Sequence, residues 1–229
     1  MSIDNIHPTP WDTKAFGLNC FEITELSEQT LAHASANPGH YTIKVDPLAD
    51  KELLHRFGFY YTDTLIEPVC FSETLINHYN PDCTITNNVE LDLLLPMCDN
   101  SFLHGRFHRD FNLPDAFADQ RYKQWLSQIY VEHEVFGLYF QKQLAGFIAH
   151  NNGNLLLHTV SSEFRGKALA KFFWSAVCRH LFQQGIKEIR SSISATNLPV
   201  LNLYVSLGFR FRNSDDIYHR KTEVTKQPC

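Results

Sequence analysis

The sequence has no apolar run long enough to cross a bilayer. Its longest apolar stretches, such as residues 91–96 with Asp92 inside, fall far short of the roughly 20 residues that a spanning helix needs. Residues 1–10 are polar and do not show the basic start and apolar segment of a secretory signal. A net charge of −5 offers no basic surface for general nucleic-acid binding. We therefore expect a cytoplasmic protein with neither a membrane nor a nucleic acid as partner.

Metal-binding patterns are missing as well. None of the six cysteines forms a Cys-x-x-Cys pair or has zinc-like spacing with a histidine, and the twelve histidines include no His-Glu-x-x-His sequence. The cysteines lie in apolar segments, where a free thiol packs as a small apolar side chain. They are Cys20, Cys70, Cys83, Cys98, Cys178 and Cys229. We expect reduced thiols and no bound metal.

The composition is that of a globular chain with a large core. Of the 229 residues, 44% are apolar and 20% are charged, and eighteen are Phe. The clearest element is a helix over residues 166–184, where apolar residues recur at three- and four-residue spacing and Gly185 follows as a stop. Residues 155–160 before it and 188–193 after it are typical of buried strands, and a short helix is expected over 199–207.

The other predicted elements rest on shorter patterns. They are a helix over 116–132, a hairpin of strands 136–141 and 145–151, and closing strands 209–212 and 217–220. Residues 89–102 are ambiguous, because their apolar spacing suits a helix that Pro96 would kink or break.

Residues 53–61 and 203–211 echo each other. Each segment has the pattern of a short helix that ends in Gly-Phe and enters a strand, and each follows a predicted strand. A helix–Gly–strand unit is common, so chance is the alternative. The polar stretch 81–88 is the best domain boundary in the sequence. We predict a truncated copy of the C-terminal fold in residues 1–85 and the complete domain in residues 86–229.

Residues 160–170, which read VSSEFRGKALA, place a turn between a predicted strand and a predicted helix. Free amide groups at a helix start carry partial positive charge, and a phosphate can sit there when no side chain blocks it. Small residues at positions 166, 168 and 170 keep this place open, and Arg165 and Lys167 add positive charge. The alternative is an ordinary helix start with two basic residues at a surface turn.

Three further positions follow this turn in a set order. Asn197 is followed by Tyr204 seven positions on, and then by the pair Gly208-Phe209. Together with the turn at Arg165–Ala170, they resemble the GNAT superfamily of N-acetyltransferases, whose phosphate loop reads Gln/Arg-x-x-Gly-x-Gly/Ala. The resemblance covers residues 86–220.

This resemblance implies an α/β fold whose mixed sheet splays into a V between two central strands, with acyl-CoA in the opening. Ala168 departs from the family pattern, since a glycine is usual there and the added methyl group would alter the approach of a phosphate. Asn197 would contact the cofactor or hold its turn. The residues that the resemblance assigns to acyl-CoA are Thr159, Val160, Arg165, Gly166, Lys167, Ala168, Leu169, Ala170 and Asn197.

The resemblance also implies direct attack of a neutral amine on the thioester, with Tyr204 as the general acid; the alternative is a tyrosine that only packs in the core. An ammonium substrate must first lose a proton, which a histidine can accept near neutral pH. His158, at the end of the strand that would hold the cofactor, is our candidate base, and His108 and His150 are alternatives. An ordinary surface or core histidine is the competing interpretation for each.

Two segments resemble a narrower branch of the superfamily. Residues 11–17 read WDTKAFG, and residues 105–110 read GRFHRD. Both are similar to segments of the dTDP-fucosamine acetyltransferase type of dTDP-amino-sugar N-acyltransferases, which carry a truncated GNAT-like domain before the full one. The residues that this resemblance assigns to the nucleotide sugar are Arg106, Phe107, His108 and Arg109. A solvated loop is the alternative.

The branch implies a transferase of bacterial lipopolysaccharide and other surface polysaccharide biosynthesis. Its acceptor would be the C3 or C4 amine of a dTDP-linked amino-dideoxyhexose, and its donor acetyl-CoA or a short acyl-CoA such as 3-hydroxybutanoyl-CoA. Two rival hypotheses stay open: a GNAT enzyme that acts on a protein N-terminus or a small amine, and a catalytically silent acyl-CoA-binding module. The segment 1–85 opposes the first rival, and Tyr204 opposes the second. The oligomeric state is open, with a homodimer among the assemblies considered.

Overall fold

The computed structural model describes residues 4–223, so Cys229 lies outside the described residues. The strands are β1 (Ile6–Pro8), β2 (Cys20–Ile23), β3 (Gly39–Val45), β4 (Tyr60–Phe71), β5 (Cys83–Thr86), β6 (Glu134–Phe140), β7 (Gln143–Asn151), β8 (Asn154–Val160), β9 (Glu188–Ser191), β10 (Ile193–Ser194) and β11 (Arg210–Thr222). The helices are α1 (Pro10–Phe16), α2 (Glu28–Ala36), α3 (Glu52–Arg56), α4 (Leu91–Leu94), α5 (Asp115–Glu132), α6 (Ala170–Gln183) and α7 (Leu198–Ser206), with a 3-10 helix over Leu95–Cys98.

Local patterns account for most of these elements. The predicted helix over 116–132 is α5, and the predicted hairpin is β6 and β7, which pair antiparallel. The hairpin turn has φ 49° at Gln141 and 68° at Lys142, and a two-residue type I′ turn needs positive φ at both positions. The ambiguous segment forms α4 and then the 3-10 helix that contains Pro96, because proline has no N–H to continue an α-helix.

Two sequence-based boundaries are wrong. The helix expected from residue 166 begins at Ala170, because Gly166 (φ 76°) and Ala168 (φ 55°) have left-handed backbone conformations that a right-handed helix excludes. The two closing strands are one strand, β11, which runs through the polar residues between them; its part from Asp216 onward pairs antiparallel with β3. The strand expected over 188–193 is likewise divided into β9 and β10.

The first of two compact units comprises residues 4–65, 104–121 and 214–223. Its strands are mixed in direction: β1 pairs antiparallel with β2, β2 parallel with β3, and β3 antiparallel with β11. Its main apolar cluster includes Leu31, Ile43 and Leu54, all at most 1% exposed.

The second unit comprises residues 66–103 and 122–213. Its sheet is mixed as well, because β8 and β9 are parallel while the pairs β4–β9, β7–β8, β6–β7 and β5–β6 are antiparallel. Helix α6 buries Phe173, Trp174 and Val177 in the apolar cluster that also holds Tyr204. The mixed α/β fold expected from the sequence is confirmed.

The echo between residues 53–61 and 203–211 extends to hydrogen bonds. After α3, the amide of Phe59 donates to the carbonyl of Leu54 at 2.9 Å; after α7, the amide of Phe209 donates to the carbonyl of Tyr204 at 3.0 Å. Leu54 therefore occupies in the first segment the position that Tyr204 occupies in the second.

The compact units are not consecutive segments of the chain. The strand after α3 is β4, which pairs with β9 in the second unit, and the strand after α7 is β11, which pairs with β3 in the first. The segment expected to be a boundary contains β5, which pairs with β6. The division into residues 1–85 and 86–229 describes repeated segments of sequence, and it stays a prediction.

Candidate active site

An opening in the sheet of the second unit lies between β8 and β9. These parallel strands have two partner pairs, Asn154 with Arg190 and Leu155 with Ser191. Beyond them β8 continues to Val160, whereas β9 ends at Ser191. The Ser191 hydroxyl donates to the carbonyl of Leu155 at 2.9 Å and joins the two strands where they separate. The sheet thus splays as the resemblance implied.

The turn after β8 exposes a row of backbone amides. Within residues 4–223, the amides of residues 166–170 donate no hydrogen bond. A Cβ placed on Gly166 would meet no atom within 4 Å, so the space in front of this turn is free. Orphan amides in a concave turn attract anions such as phosphate. Leu169 is buried and anchors the turn in the core, while Lys167 is exposed.

Arg165 stabilises the end of β8. Its Nε donates to the carbonyl of Val160 at 2.8 Å, and its Nη2 donates to the Thr159 hydroxyl at 3.3 Å and to the Ser101 hydroxyl. The guanidinium of Arg165 therefore links the turn to the strand in this conformation.

Tyr204 and His158 come together at the opening, although 46 positions separate them in the sequence. The Tyr204 hydroxyl lies 3.1 Å from Nε2 of His158. The Tyr204 side chain is completely buried, and its ring packs against Phe209 at 4.7 Å. His158 is partly buried, and its ring meets that of Trp174 edge-on at 5.1 Å.

Burial sets the charge state of this pair. It lowers the pKa of His158 to about 4, so the imidazole is neutral at pH 7 and its Nε2 can accept a hydrogen bond from Tyr204. Burial raises the pKa of Tyr204, while the Ser191 and Trp174 side chains oppose that rise. The resting pair is therefore a protonated phenol next to a neutral imidazole.

Asn197 holds the turn before α7. Its Oδ1 accepts a hydrogen bond from the Val200 amide at 3.3 Å and thereby caps the helix. This is one of the two roles expected for it, and the cap places Tyr204 two turns along the helix.

The residues assigned to a nucleotide sugar lie in the first unit, and each has a partner there. The buried Phe107 ring has its centroid 5.1 Å from that of Phe16. The guanidinium carbon of Arg106 lies 4.7 Å from the centroid of the Phe107 ring. Nε2 of His108 is 3.1 Å from Asp119, and Nη1 of Arg109 donates to Asp63 at 2.7 Å. Their partners thus include Phe16, Asp63 and Asp119. His150, the third candidate base, is buried in the second unit with its Nε2 3.2 Å from Glu134.

Asp110 is the centre of a buried polar cluster in the first unit that the sequence analysis missed. Its Oδ2 lies 2.8 Å from Nε2 of His40 and 2.7 Å from Nδ1 of His219. Its Oδ1 accepts from the Tyr60 hydroxyl and from the Asn112 amide, both at 2.9 Å. Burial would raise the pKa of Asp110, but the hydrogen bonds from the two histidines outweigh it and hold that pKa well below its usual range. These residues come from distant segments, so no spacing in the sequence could have revealed the cluster.

The same cluster tests the expectation of no metal. His40, Asp110 and His219 are close enough together to bind an ion. Their nitrogens lie at hydrogen-bond distance from a single carboxylate oxygen, whereas ligand atoms around tetrahedral zinc are roughly 3.3 Å apart. In this conformation the three side chains form a hydrogen-bonded group, and the absence of a metal stays a prediction.

Comparisons with known proteins bear on the fold and on this site. Residues 101–209, which include His158 and Tyr204, match the sequence model of the acetyltransferase (GNAT) family. No curated protein matches the chain. Within residues 4–223, no helix is both long and apolar enough to span a membrane.

Solved structures of low sequence identity share the fold. A GCN5-related N-acetyltransferase from Sphaerobacter thermophilus has a TM-score of 0.59 at 11% identity, over 86% of this chain and 65% of that one. A tandem GNAT protein from the clavulanic acid biosynthesis pathway has a TM-score of 0.57 at 12% identity, and the match covers 91% of this chain and 79% of that one. A conserved protein of unknown function from Staphylococcus epidermidis has a TM-score of 0.60 at 14% identity, and the match covers 97% of this chain and 93% of that one. This chain thus spans less than two thirds of the Sphaerobacter protein.

Residues 101–209 are thus similar in sequence to the acetyltransferase (GNAT) family, and the fold is shared with solved GNAT structures. This match includes Arg165–Ala170, Asn197 and Tyr204, the positions at which the sequence resembles the GNAT superfamily.

Proposed function

We propose that acyl-CoA binds in the opening between β8 and β9 and that an amine is acylated beside Tyr204 and His158. The observation that carries this proposal is the juxtaposition of the two side chains at the place where the strands separate. The pantetheine arm would pair with the end of β8 at Thr159 and Val160. The pyrophosphate would sit on the free amides of residues 166–170, with Lys167 supplying positive charge.

The proposed reaction transfers the acyl group directly to the amine, with no acyl-enzyme intermediate. The amine nitrogen bonds to the thioester carbonyl carbon, and the carbon–sulfur bond breaks with its electron pair on sulfur. Tyr204 gives its proton to that sulfur, and the nitrogen loses a proton to His158, directly or through water. His158 is a weak base in the resting enzyme, but an adjacent phenolate favours its protonated form, so the proton can return to Tyr204.

Gly166→Val tests the proposed phosphate turn. We expect the KM for acyl-CoA to rise about 10-fold or more, the effect of losing charge-assisted hydrogen bonds, because the side chain would occupy the space in front of the amides. Valine at φ 76° also strains the backbone, so stability must be matched. Gly185→Val is the control, since Gly185 has φ 92° and open space around it but lies after α6. If both variants kept the wild-type KM while folded, the turn would not bind the cofactor.

The proposed acceptor is the C3 or C4 amine of a dTDP-linked amino-dideoxyhexose, and the acyl group is acetyl or a short acyl such as 3-hydroxybutanoyl. Three features support it: the segments at 11–17 and 105–110, the matched hydrogen bonds of the two echoed segments, and the likeness to a protein described as a tandem GNAT. Arg106 and Arg109 provide positive charge for two phosphates, and Arg109 would have to share its guanidinium with Asp63. The product would serve bacterial surface polysaccharide synthesis.

A coenzyme A release assay over dTDP-amino sugars and acyl-CoAs tests the acceptor. We expect release with an amino-dideoxyhexose and none with the same nucleotide sugar carrying a hydroxyl group in place of the amine, because a hydroxyl is the weaker nucleophile. Activity on peptides or polyamines alone would contradict the proposal. Thermal-shift measurements distinguish the proposed enzyme from a catalytically silent module. Acyl-CoA and dTDP should both stabilise the enzyme, whereas only acyl-CoA should stabilise the silent module. A ligand at a concentration of 100 Kd should raise the free energy of unfolding by about 2.7 kcal/mol.

A further inference from the structure

Trp174 carries a buried donor that has no partner. The side chain lies in α6 and is 2% exposed. Among the described residues, its Nε1 makes no hydrogen bond. An indole N–H can only donate, and a buried donor that stays unsatisfied destabilises the fold. Such exceptions are rare in native proteins and often mark a functional site.

The surroundings of Trp174 indicate what this donor is for. Its ring meets His158 edge-on, and its indole lies close enough to the Tyr204 hydroxyl to favour the charged form of that group. Ser191 is also nearby, but its hydroxyl proton is given to the carbonyl of Leu155. In the tautomer with its proton on Nδ1, neutral His158 accepts from Tyr204 and has no proton on Nε2 to offer in return. Trp174 therefore holds an uncommitted proton in the buried cluster that contains Tyr204, and both side chains contact His158.

We propose that the Trp174 indole N–H is a positioning group that hydrogen-bonds to the Tyr204 phenolate as Tyr204 gives up its proton. This inference rests on the proposed function, in which Tyr204 is the general acid. The buried surroundings of Tyr204 disfavour a phenolate, so a donor in place before the reaction lowers the barrier to proton transfer. In the resting state the indole N–H is not within hydrogen-bond geometry of any acceptor among the described residues, and the charge that develops on the Tyr204 oxygen would draw it into one.

Replacement of Trp174 by benzothienylalanine tests the inference, because sulfur takes the place of the N–H and the ring shape is kept. We expect kcat to fall about 10–100-fold, as for loss of one hydrogen bond to a charged group, with the Kd for acyl-CoA unchanged. Trp174→Phe should lower kcat at least as much. Trp125→Phe, a partly buried tryptophan in α5, is the control for lost packing and should keep kcat.

The double variant with Tyr204→Phe separates the inference from the proposed function. With no phenolate to stabilise, removal of the Trp174 N–H should have no further effect on kcat. If Tyr204→Phe alone kept full kcat, the acid assignment would fail. If Tyr204→Phe lowered kcat but the benzothienyl variant kept full kcat, or lowered it equally in both backgrounds, the inference about Trp174 would be overturned and the acid assignment would stand.

Discussion

Tyr204→Phe is expected to lower kcat about 10²–10⁴-fold, the usual range for general acid catalysis. The thiolate is a tolerable leaving group, since a free thiol has a pKa of about 8.5, so proton donation assists the reaction without being indispensable. The phenyl ring can keep the packing against Phe209, so the Kd for acyl-CoA should change little. Because the hydroxyl acts on the transition state, kcat and kcat/KM should fall together in steady-state measurements.

Tyr41→Phe is the matched control for this substitution. Tyr41 is 1% exposed and its hydroxyl donates to the carbonyl of Asn37, so its removal deletes a phenolic hydrogen bond within the first unit. The control should keep kcat. If Tyr204→Phe also kept full kcat where chemistry is rate-limiting, Tyr204 would not be the acid, and water would have to protonate the sulfur.

Asp110→Asn is expected to lower the free energy of unfolding by about 1–3 kcal/mol, the cost of leaving a buried hydrogen-bonding group unsatisfied. The carboxylate accepts from His40, His219, Tyr60 and the Asn112 amide, and an amide group in its place would turn an N–H towards one of these donors. Urea unfolding at constant pH measures the change. Asp82→Asn, at an exposed position, should stay within about 0.5 kcal/mol of wild type.

The pH dependence of the Asp110 effect follows from the direction of its pKa shift. The pKa is lowered in the folded protein, so the stabilisation is present above the unfolded value of about 3.9 and is lost as the pH falls below it. The difference between wild type and Asp110→Asn should therefore be complete at pH 7 and shrink below about pH 4. A difference within about 0.5 kcal/mol at pH 7 would show that the cluster contributes little to stability.

Repeating patterns in the sequence were enough to predict α5, α6 and the β6–β7 hairpin, because their hydrogen bonds and apolar faces join residues close in the chain. Motif spacing was enough to indicate the resemblance to the GNAT superfamily. The order and spacing of four motif positions match that family's pattern: Arg165–Ala170, Asn197, Tyr204 and Gly208-Phe209. The start of α6 was misplaced for a local reason: Ala168 has φ 55°, which its identity does not signal. An alanine there costs roughly 1–2 kcal/mol, and surrounding structure must offset it.

Tertiary structure alone decided which side chains meet. Tyr204 reaches His158 because α7 and β8 pack in one unit, and Asp110 meets His40 and His219 because a loop and two strands converge in the other. Tertiary structure also determined which segments form each compact unit, because β4 and β11 each pair with a strand from the other half of the sequence. By itself the sequence determined many of the elements of the second unit, the resemblance to the GNAT superfamily and the residue types available for catalysis. Their neighbours depend on long-range pairing and burial, which no periodicity or spacing along the chain encodes.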